Sequence, residues 1–336
     1  MFEIVVLFLA VSLLFYCLFG GADFGAGILE GFAGKKYRSK GRKLTYTAIG
    51  PIWEANHMWL ILVVVILFMG FPKVYTLVSI HLHIPITIML IGIVLRGCFF
   101  TFRHYDAVKD RSQRYYSWIF VLSSIISSLF LGIIAGAATL GHIDTSATSF
   151  YEGFIYPWFN TFSFAVGIFA CCIFSFLAAV FLIGETEDEE LRKYLLNQAL
   201  KANIVTVIAG GLVFLAAKMN GFHLIDLLLS HLFSALCLVL ATVSLPILWL
   251  SLRKRQVVLP RILAGFQVLM ILTAWLWLQY PAVINIQNGP DLTLHNTVAP
   301  QATIAALGWA LIVGSMLILP ALYYLIWSFK FSTERE

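Results

Sequence analysis

Residues 50–70 read Gly50-Pro51-Ile52-Trp53-Glu54-Ala55-Asn56-His57-Met58-Trp59-Leu60 and then run on as ILVVVILFMG. The second half is apolar without interruption, the character of a segment that lies in hydrocarbon. The first half sets a carboxylate, a carboxamide and an imidazole within four residues at the mouth of that segment. A carboxylate there is near enough to water to load a proton. It is also deep enough for its surroundings to change its affinity for one.

The rest of the chain agrees with a membrane setting. Its 336 residues are 60% hydrophobic and only 12% charged, with a mean hydropathy of +0.90, whereas soluble domains are about 25% charged. The N-terminal MFEIVVLFLAVSLLFYCLFGG lacks a positive leader and a small-residue cleavage site, so it reads as a retained first span. Runs of about 20 apolar residues predict nine spans near 4–21, 52–70, 77–101, 116–140, 158–184, 203–219, 223–250, 261–280 and 303–329. The expected fold is an all-α integral membrane protein with nine transmembrane helices. It is expected to form one polytopic membrane domain over 1–336, with helices 1–4 over about 4–140 and helices 5–9 over about 158–329.

All but Lys73, Arg96 and Lys218 of the 22 Lys and Arg residues fall between alternate spans or at the C-terminus. They are Lys35, Lys36, Arg38, Lys40, Arg42 and Lys43; Arg103, Lys109, Arg111 and Arg114; Arg192, Lys193 and Lys201; Arg253, Lys254, Arg255 and Arg261; and Lys330 and Arg335. Basic residues are retained in short cytoplasmic loops, so this pattern places the N-terminus outside and the C-terminus in the cytoplasm. The net charge of +5 is thereby a topological signal, with attraction to anionic membrane lipids as a second effect. No nucleic-acid partner is needed to explain it.

Several function classes lose support. The five cysteines, Cys17, Cys98, Cys171, Cys172 and Cys237, lie in apolar runs without a CxxC, so neither a disulfide framework nor a metal site is expected. No HExxH, P-loop, nucleophile elbow or GxGxxG occurs. The longest loops, near 22–51 and 281–302, are too short to fold as domains. Glu185-Thr186-Glu187-Asp188-Glu189-Glu190, followed by Arg192, Lys193 and Lys201, reads as a short surface helix whose charges complement its dipole.

Charged groups inside a span each cost about 2.5–3.5 kcal/mol at its centre, so they tend to be paired, peripheral or functional. The candidates are Asp23, Glu54 and Arg96 toward the basic side and Asp226 toward the other. Asp23 lies in the Gly- and Ala-rich Gly20–Gly27 stretch, Glu54 in the first turn of its span, and Arg96 near the end of the third. All three are expected at one depth. In the structural reading, Arg96 pairs with Asp23 or Glu54 and holds helices together. In the functional reading, Glu54, with His57 on the same helical face, and Asp23 line the entrance of a proton path. The two readings are compatible. Trp53 belongs to the charge cluster and shields the acid beside it, whereas Trp59 is expected in the interfacial aromatic belt. Haem would call for axial histidines. His81, His83, His142, His223 and His295 fall at or beyond outer span ends, His104 at an inner end, and only His231 is expected well inside.

Four motifs in order carry a resemblance. They are Gly21-Ala22-Asp23-Phe24-Gly25-Ala26-Gly27-Ile28-Leu29, the 50–60 stretch, Phe71-Pro72-Lys73-Val74-Tyr75 and Leu95-Arg96-Gly97-Cys98-Phe99-Phe100-Thr101-Phe102-Arg103. With them the chain resembles subunit II of the cytochrome bd-type quinol oxidases of bacterial inner (cytoplasmic) membranes. That resemblance implies two four-helix bundles plus one peripheral helix, and a haem-bearing subunit I as partner, with small single-helix subunits as further possible companions. It implies haems b and d in subunit I and no haem ligand in this chain, with a structural quinone or lipid as a further expected occupant. The complex of such a family oxidises quinol, reduces dioxygen to water and draws protons from the cytoplasm, with Trp53-Glu54 at the position of its acid. Positions where that family commonly has further acids are Gly20 and Thr101 here. The alternative to this reading is a proton-coupled secondary transporter, for which midplane helix breaks and repeats would be the signature. A third reading is a purely structural assembly factor.

Overall fold

The computed structural model describes residues 1–50, 53–105 and 112–332. Pro51 and Ile52 of the opening motif, Lys109 and Arg111 of the basic set, and Arg335 lie outside the described residues. In chain order the elements are α1 (Phe2–Phe15), α2 (Gly21–Phe32), α3 (Lys35–Ile49), α4 (Trp53–Gly70), α5 (Pro72–His81), α6 (His83–Tyr105) and α7 (Ser112–Leu140). They continue as α8 (Phe150–Phe154), α9 (Thr161–Ile183), α10 (Glu189–Met219), α11 (Leu224–Ser230), α12 (Leu232–Arg253), α13 (Val258–Gln279), β1 (Ala282–Ile284), β2 (Leu292–Thr293) and α14 (Gln301–Ser332). A π-helical turn, Tyr16–Gly20, joins α1 to α2 without ending the helix.

Among the described residues, nine helices are long and apolar enough to cross a membrane. The chain is an all-α, multi-pass membrane protein. Several expected boundaries move; the third span, expected from 77, begins at His83, because residues 77–81 belong to α5. The first span extends to Phe32 rather than ending near 21, giving 31 helical residues. The small residues after Gly20 let a neighbouring helix approach and do not break this one. The acidic surface helix and the sixth span are one 31-residue helix, α10, because no Gly or Pro separates Glu189 from Asn203. Asp188 caps it, its side chain accepting from Glu190 N and Leu191 N. The seventh span divides at His231 into α11 and α12; α12 has 22 residues and spans alone. The loop expected at 22–51 is largely helical, its basic residues forming α3.

α9 is the hub. It packs against α2, α7 and α10, and its Phe174, Phe176, Ala178, Ala179 and Val180 are buried in the main apolar core with Phe24, Leu195 and Leu248. The glycines of Gly21–Leu29 explain how α2 comes so close. A Cβ on Gly25 would stand 1.8 Å from the Phe174 carbonyl oxygen, and one on Gly27 would stand 2.1 Å from Ser124 Oγ of α7. Such small residues are the usual means of close helix contact in lipid, where no water is expelled to drive association. At the basic end α3 is held to the start of α10 by Lys40–Asp188 at 2.6 Å, by Lys36–Glu190, and by a Tyr37–Tyr194 stack at 4.1 Å. At the opposite end Asn285 Nδ2 donates to the Thr139 carbonyl oxygen at 2.7 Å, tying the β1–β2 hairpin to α7.

Gly25→Ala is therefore expected to lower stability by about 1–3 kcal/mol, the range for overpacking. Gly41→Ala in α3, with nothing within 4 Å of its added methyl, is expected to be neutral or to stabilise by up to about 1 kcal/mol. Thermal unfolding of the two variants in detergent checks the contrast in sign.

Candidate functional site

The three polar residues that open α4 go to three different places. Asn56 is buried, and its Nδ2 donates to the Phe19 carbonyl oxygen at 3.4 Å, within the π-helical turn. A π turn leaves a carbonyl short of its helical partner, and the carboxamide answers it. His57 turns inward among aromatic rings, with centroid separations of 6.3 Å to Tyr16, 5.9 Å to Phe24 and 6.3 Å to Trp53. Glu54 is exposed and has no hydrogen bond or ion pair among the described residues.

Asp23 and Arg96 do meet. Each side chain is 1% exposed, and the guanidinium of Arg96 binds both the Asp23 carboxylate and, at 3.0 Å, its backbone carbonyl oxygen. Arg96 also lies 5.2 Å from the ring centres of Phe24 and Phe120, the range of a cation–π contact. Trp53 closes the cluster from the basic end: its indole packs on Gly97, next to Arg96, and near Phe100 at 5.8 Å. The expected three-way meeting is thus a pair plus a tryptophan, with Glu54 outside it. The reason is helical phase. Glu54, Ile61, Val65 and Phe68, at i, i+7, i+11 and i+14, form one exposed stripe of α4, while Asn56 and Trp59 turn to the inside. Trp59 is buried against Phe15 at 4.7 Å rather than lying in an interfacial belt. His231 and Asp226, expected within the seventh span, are exposed at the helix break and on α11.

A second buried pair escaped the sequence reading. Glu30 is 6% exposed and holds two arginines, Arg103 at 2.6 Å and Arg42 at 3.2 Å. Asp23 and Glu30 are seven residues apart on α2, and Arg96 and Arg103 are seven apart on α6. The two pairs are therefore rungs of one ladder, separated by two helical turns, about 10 Å. Phe120 of α7 stands between the rungs, 5.2 Å from Arg96 and 4.1 Å from Arg103. The shared spacing was the available signal. It was hidden by the assumption that the helix ends before Glu30.

A family model described as cytochrome bd terminal oxidase subunit II matches residues 1–329. The chain belongs to that family. Cytochrome bd ubiquinol oxidase subunit 2 of Bacillus subtilis is 32% identical over 133 residues, 38% of this chain and 37% of that protein. Cytochrome bd-I ubiquinol oxidase subunit 2 of Escherichia coli K12 is 24% identical over 186 residues, 54% of this chain and 48% of that protein. The chain thus matches less than half the length of these curated relatives. The solved structure of bd oxidase from Geobacillus thermodenitrificans superposes with a TM-score of 0.75 at 22% identity, covering 98% of this chain and 99% of that one, which establishes the shared fold.

Haem iron is commonly held by axial histidine. Among the described residues no group of three or more His, Cys, Asp and Glu could hold a metal. His57 is shut in by three aromatic rings, and His231 is exposed at a helix start.

Removing one partner of a buried pair strands a charge, at a cost of about 3–5 kcal/mol. Arg96→Met is expected to destabilise the chain by that amount, and Asp23→Leu/Arg96→Met by clearly less than the sum of the single changes. A double-mutant cycle on detergent unfolding measures the coupling.

Proposed function

We propose that this chain is the haem-free subunit of a bd-type quinol oxidase. In this reading it forms the fold's two four-helix bundles and peripheral helix, scaffolds a haem-bearing subunit I and conducts protons from the cytoplasm for reduction of dioxygen to water. Family membership is the observation that carries this reading. The relatives named above are subunits of ubiquinol oxidases, and quinol is the electron donor proposed here. The haems and the redox steps belong to the partner.

What this chain contributes is position and protons. Reduction of dioxygen to water consumes a proton for every electron, so a haem site buried in hydrocarbon needs a polar route to water. Glu54 supports such a route. It stands at the head of an otherwise apolar exposed stripe of α4, and a carboxylate left against lipid there is costly. A partner helix laid along Ile61, Val65 and Phe68 would cover that stripe and give Glu54 a dry, shaped surrounding in which to load and release protons. Asp23 and His57 lie behind it toward the interior, with Arg96 and Trp53 fixing the carboxylate of Asp23 in place. The basic end, with α3 and the start of α10, would face the cytoplasm.

Glu54→Ala is expected to assemble with its full complement of haem and to slow oxygen consumption about tenfold, an increment of about 1.4 kcal/mol in the barrier. Turnover at the wild-type rate in the assembled variant would remove the proton role and leave the scaffold. Haem absorbance that persists when this chain is purified alone would overturn the haem-free assignment.

A further inference from the structure

The flank of the molecule made by α6 and α7 carries an apolar groove. Ile88, Ile91 and Leu95 of α6 line one side and Ile119, Leu122 and Ile126 of α7 the other, around a space of about 110 Å³. Ile91, Leu95 and Leu122 are exposed at its rim. At Gly92 the two helices approach so closely that a Cβ would stand 2.5 Å from Ser127 Oγ. The one hydroxyl in the lining, Ser123 Oγ, is already committed, donating to the Phe120 carbonyl oxygen at 3.1 Å.

Toward the basic end the groove runs into aromatic rings. Phe99 and Phe102 continue the Leu95 face of α6 at i+4 and i+7, and Tyr116 continues the Ile119 face of α7. The Phe99 ring stands 5.6 Å from Tyr116 and 5.7 Å from Phe102. Tyr115 and Trp118 are exposed beside them, the kind of ring that settles at the headgroup level. Two residues before Tyr116, Arg114 is exposed and makes no hydrogen bond or ion pair among the described residues. It precedes Leu122 by eight residues, about 12 Å along the helix. One leaflet of a hydrocarbon core about 30 Å thick spans that distance.

We propose that this groove is a site for an anionic phospholipid, one acyl chain lying between α6 and α7 and the phosphate held by Arg114. The space is well below the roughly 300 Å³ of the smaller pockets for compact ligands, so it suits a single chain rather than a ring system. A helix about 10 Å across is too wide to enter it. Water would need two to four polar partners, and the lining has none free. The guanidinium fork matches a phosphate, and its aliphatic stem can lie along the neighbouring rings. The chain of the lipid would press on the outer face of α6, where Leu95 directly precedes Arg96. It would thus brace the helix that supplies Arg96 and Arg103 to the ladder, and a ligand of the folded state adds to stability by mass action. The site does not depend on the proton role of the chain.

Native mass spectrometry of the assembled complex in detergent tests the site, with phosphatidylglycerol and phosphatidylcholine of identical acyl chains as probes. The wild type is expected to hold one phosphatidylglycerol that is lost in Leu122→Trp, which fills the groove from its exposed rim. Arg114→Gln is expected to bind phosphatidylglycerol about tenfold more weakly and to lose the preference over phosphatidylcholine. Added phosphatidylglycerol is expected to raise the thermal unfolding midpoint of the wild type and not that of Leu122→Trp. If Leu122→Trp does not assemble, Ile91→Trp on the opposite wall carries the same test. Equal phosphatidylglycerol binding by the wild type and the groove-filling variant overturns the site, as does a density map in which another subunit fills the groove. Equal binding by the wild type and Arg114→Gln overturns the phosphate contact.

Discussion

The contact on which the rest of the arrangement depends is the ion pair between Asp23 and Arg96. Both groups are withdrawn from water within a bundle whose outer surface is apolar, so neither charge is tolerable without the other. Satisfying the pair fixes a great deal. α2 and α6 must run in the same direction, both packed on α7, because Phe120 fills the space under both guanidiniums. α2 must also press against α9 closely enough that glycine is required at position 25. The aromatic lid of Trp53 then has a place to rest only because position 97 carries no side chain.

That pairing also explains why polar residues near the mouth of α4 have different fates. With Asp23 committed to Arg96, Glu54 is not needed to neutralise the interior and is free to face outward, while His57 and Asn56 serve the interior in its place. Asn56 completes the π-helical turn, and His57 joins Tyr16 beside the pair. The carboxylates of Asp23 and Glu30 hold the helices with their arginines, while Glu54, exposed and outside both pairs, is not engaged in that packing.

Much of this was legible in the sequence. Hydropathy locates the nine spans seen among the described residues, because the penalty for exposing backbone or charge to lipid is large and local. It also singled out Asp23 and Arg96, because charges inside spans are few. What it could not provide was helical phase. Whether Glu54 or Asp23 faces Arg96 depends on rotation about helix axes, which single-residue patterns do not set. Ends were misplaced where continuity was decided by neighbours rather than composition. The Gly-rich stretch reads as a terminus but is a packing surface, and the acidic run at 185–190 reads as a separate helix, whereas Asp188 caps α10 and only Glu189 and Glu190 lie in it. With the first span expected to end near 21, Glu30 reads as a loop residue, and the second rung of the ladder is lost with it.

α10 has one more implication. Its 31 residues reach about 46 Å at 1.5 Å per residue, against a hydrocarbon core of about 30 Å, so its first turns must stand clear of the acyl chains. Clasped there to the lysines of α3, they make a rigid shoulder at the level of the lipid headgroups. The molecule consequently carries its own depth marker. A bilayer of different thickness would be met by tilting of the helix or by local deformation of the lipid, with this polar shoulder kept outside the acyl chains.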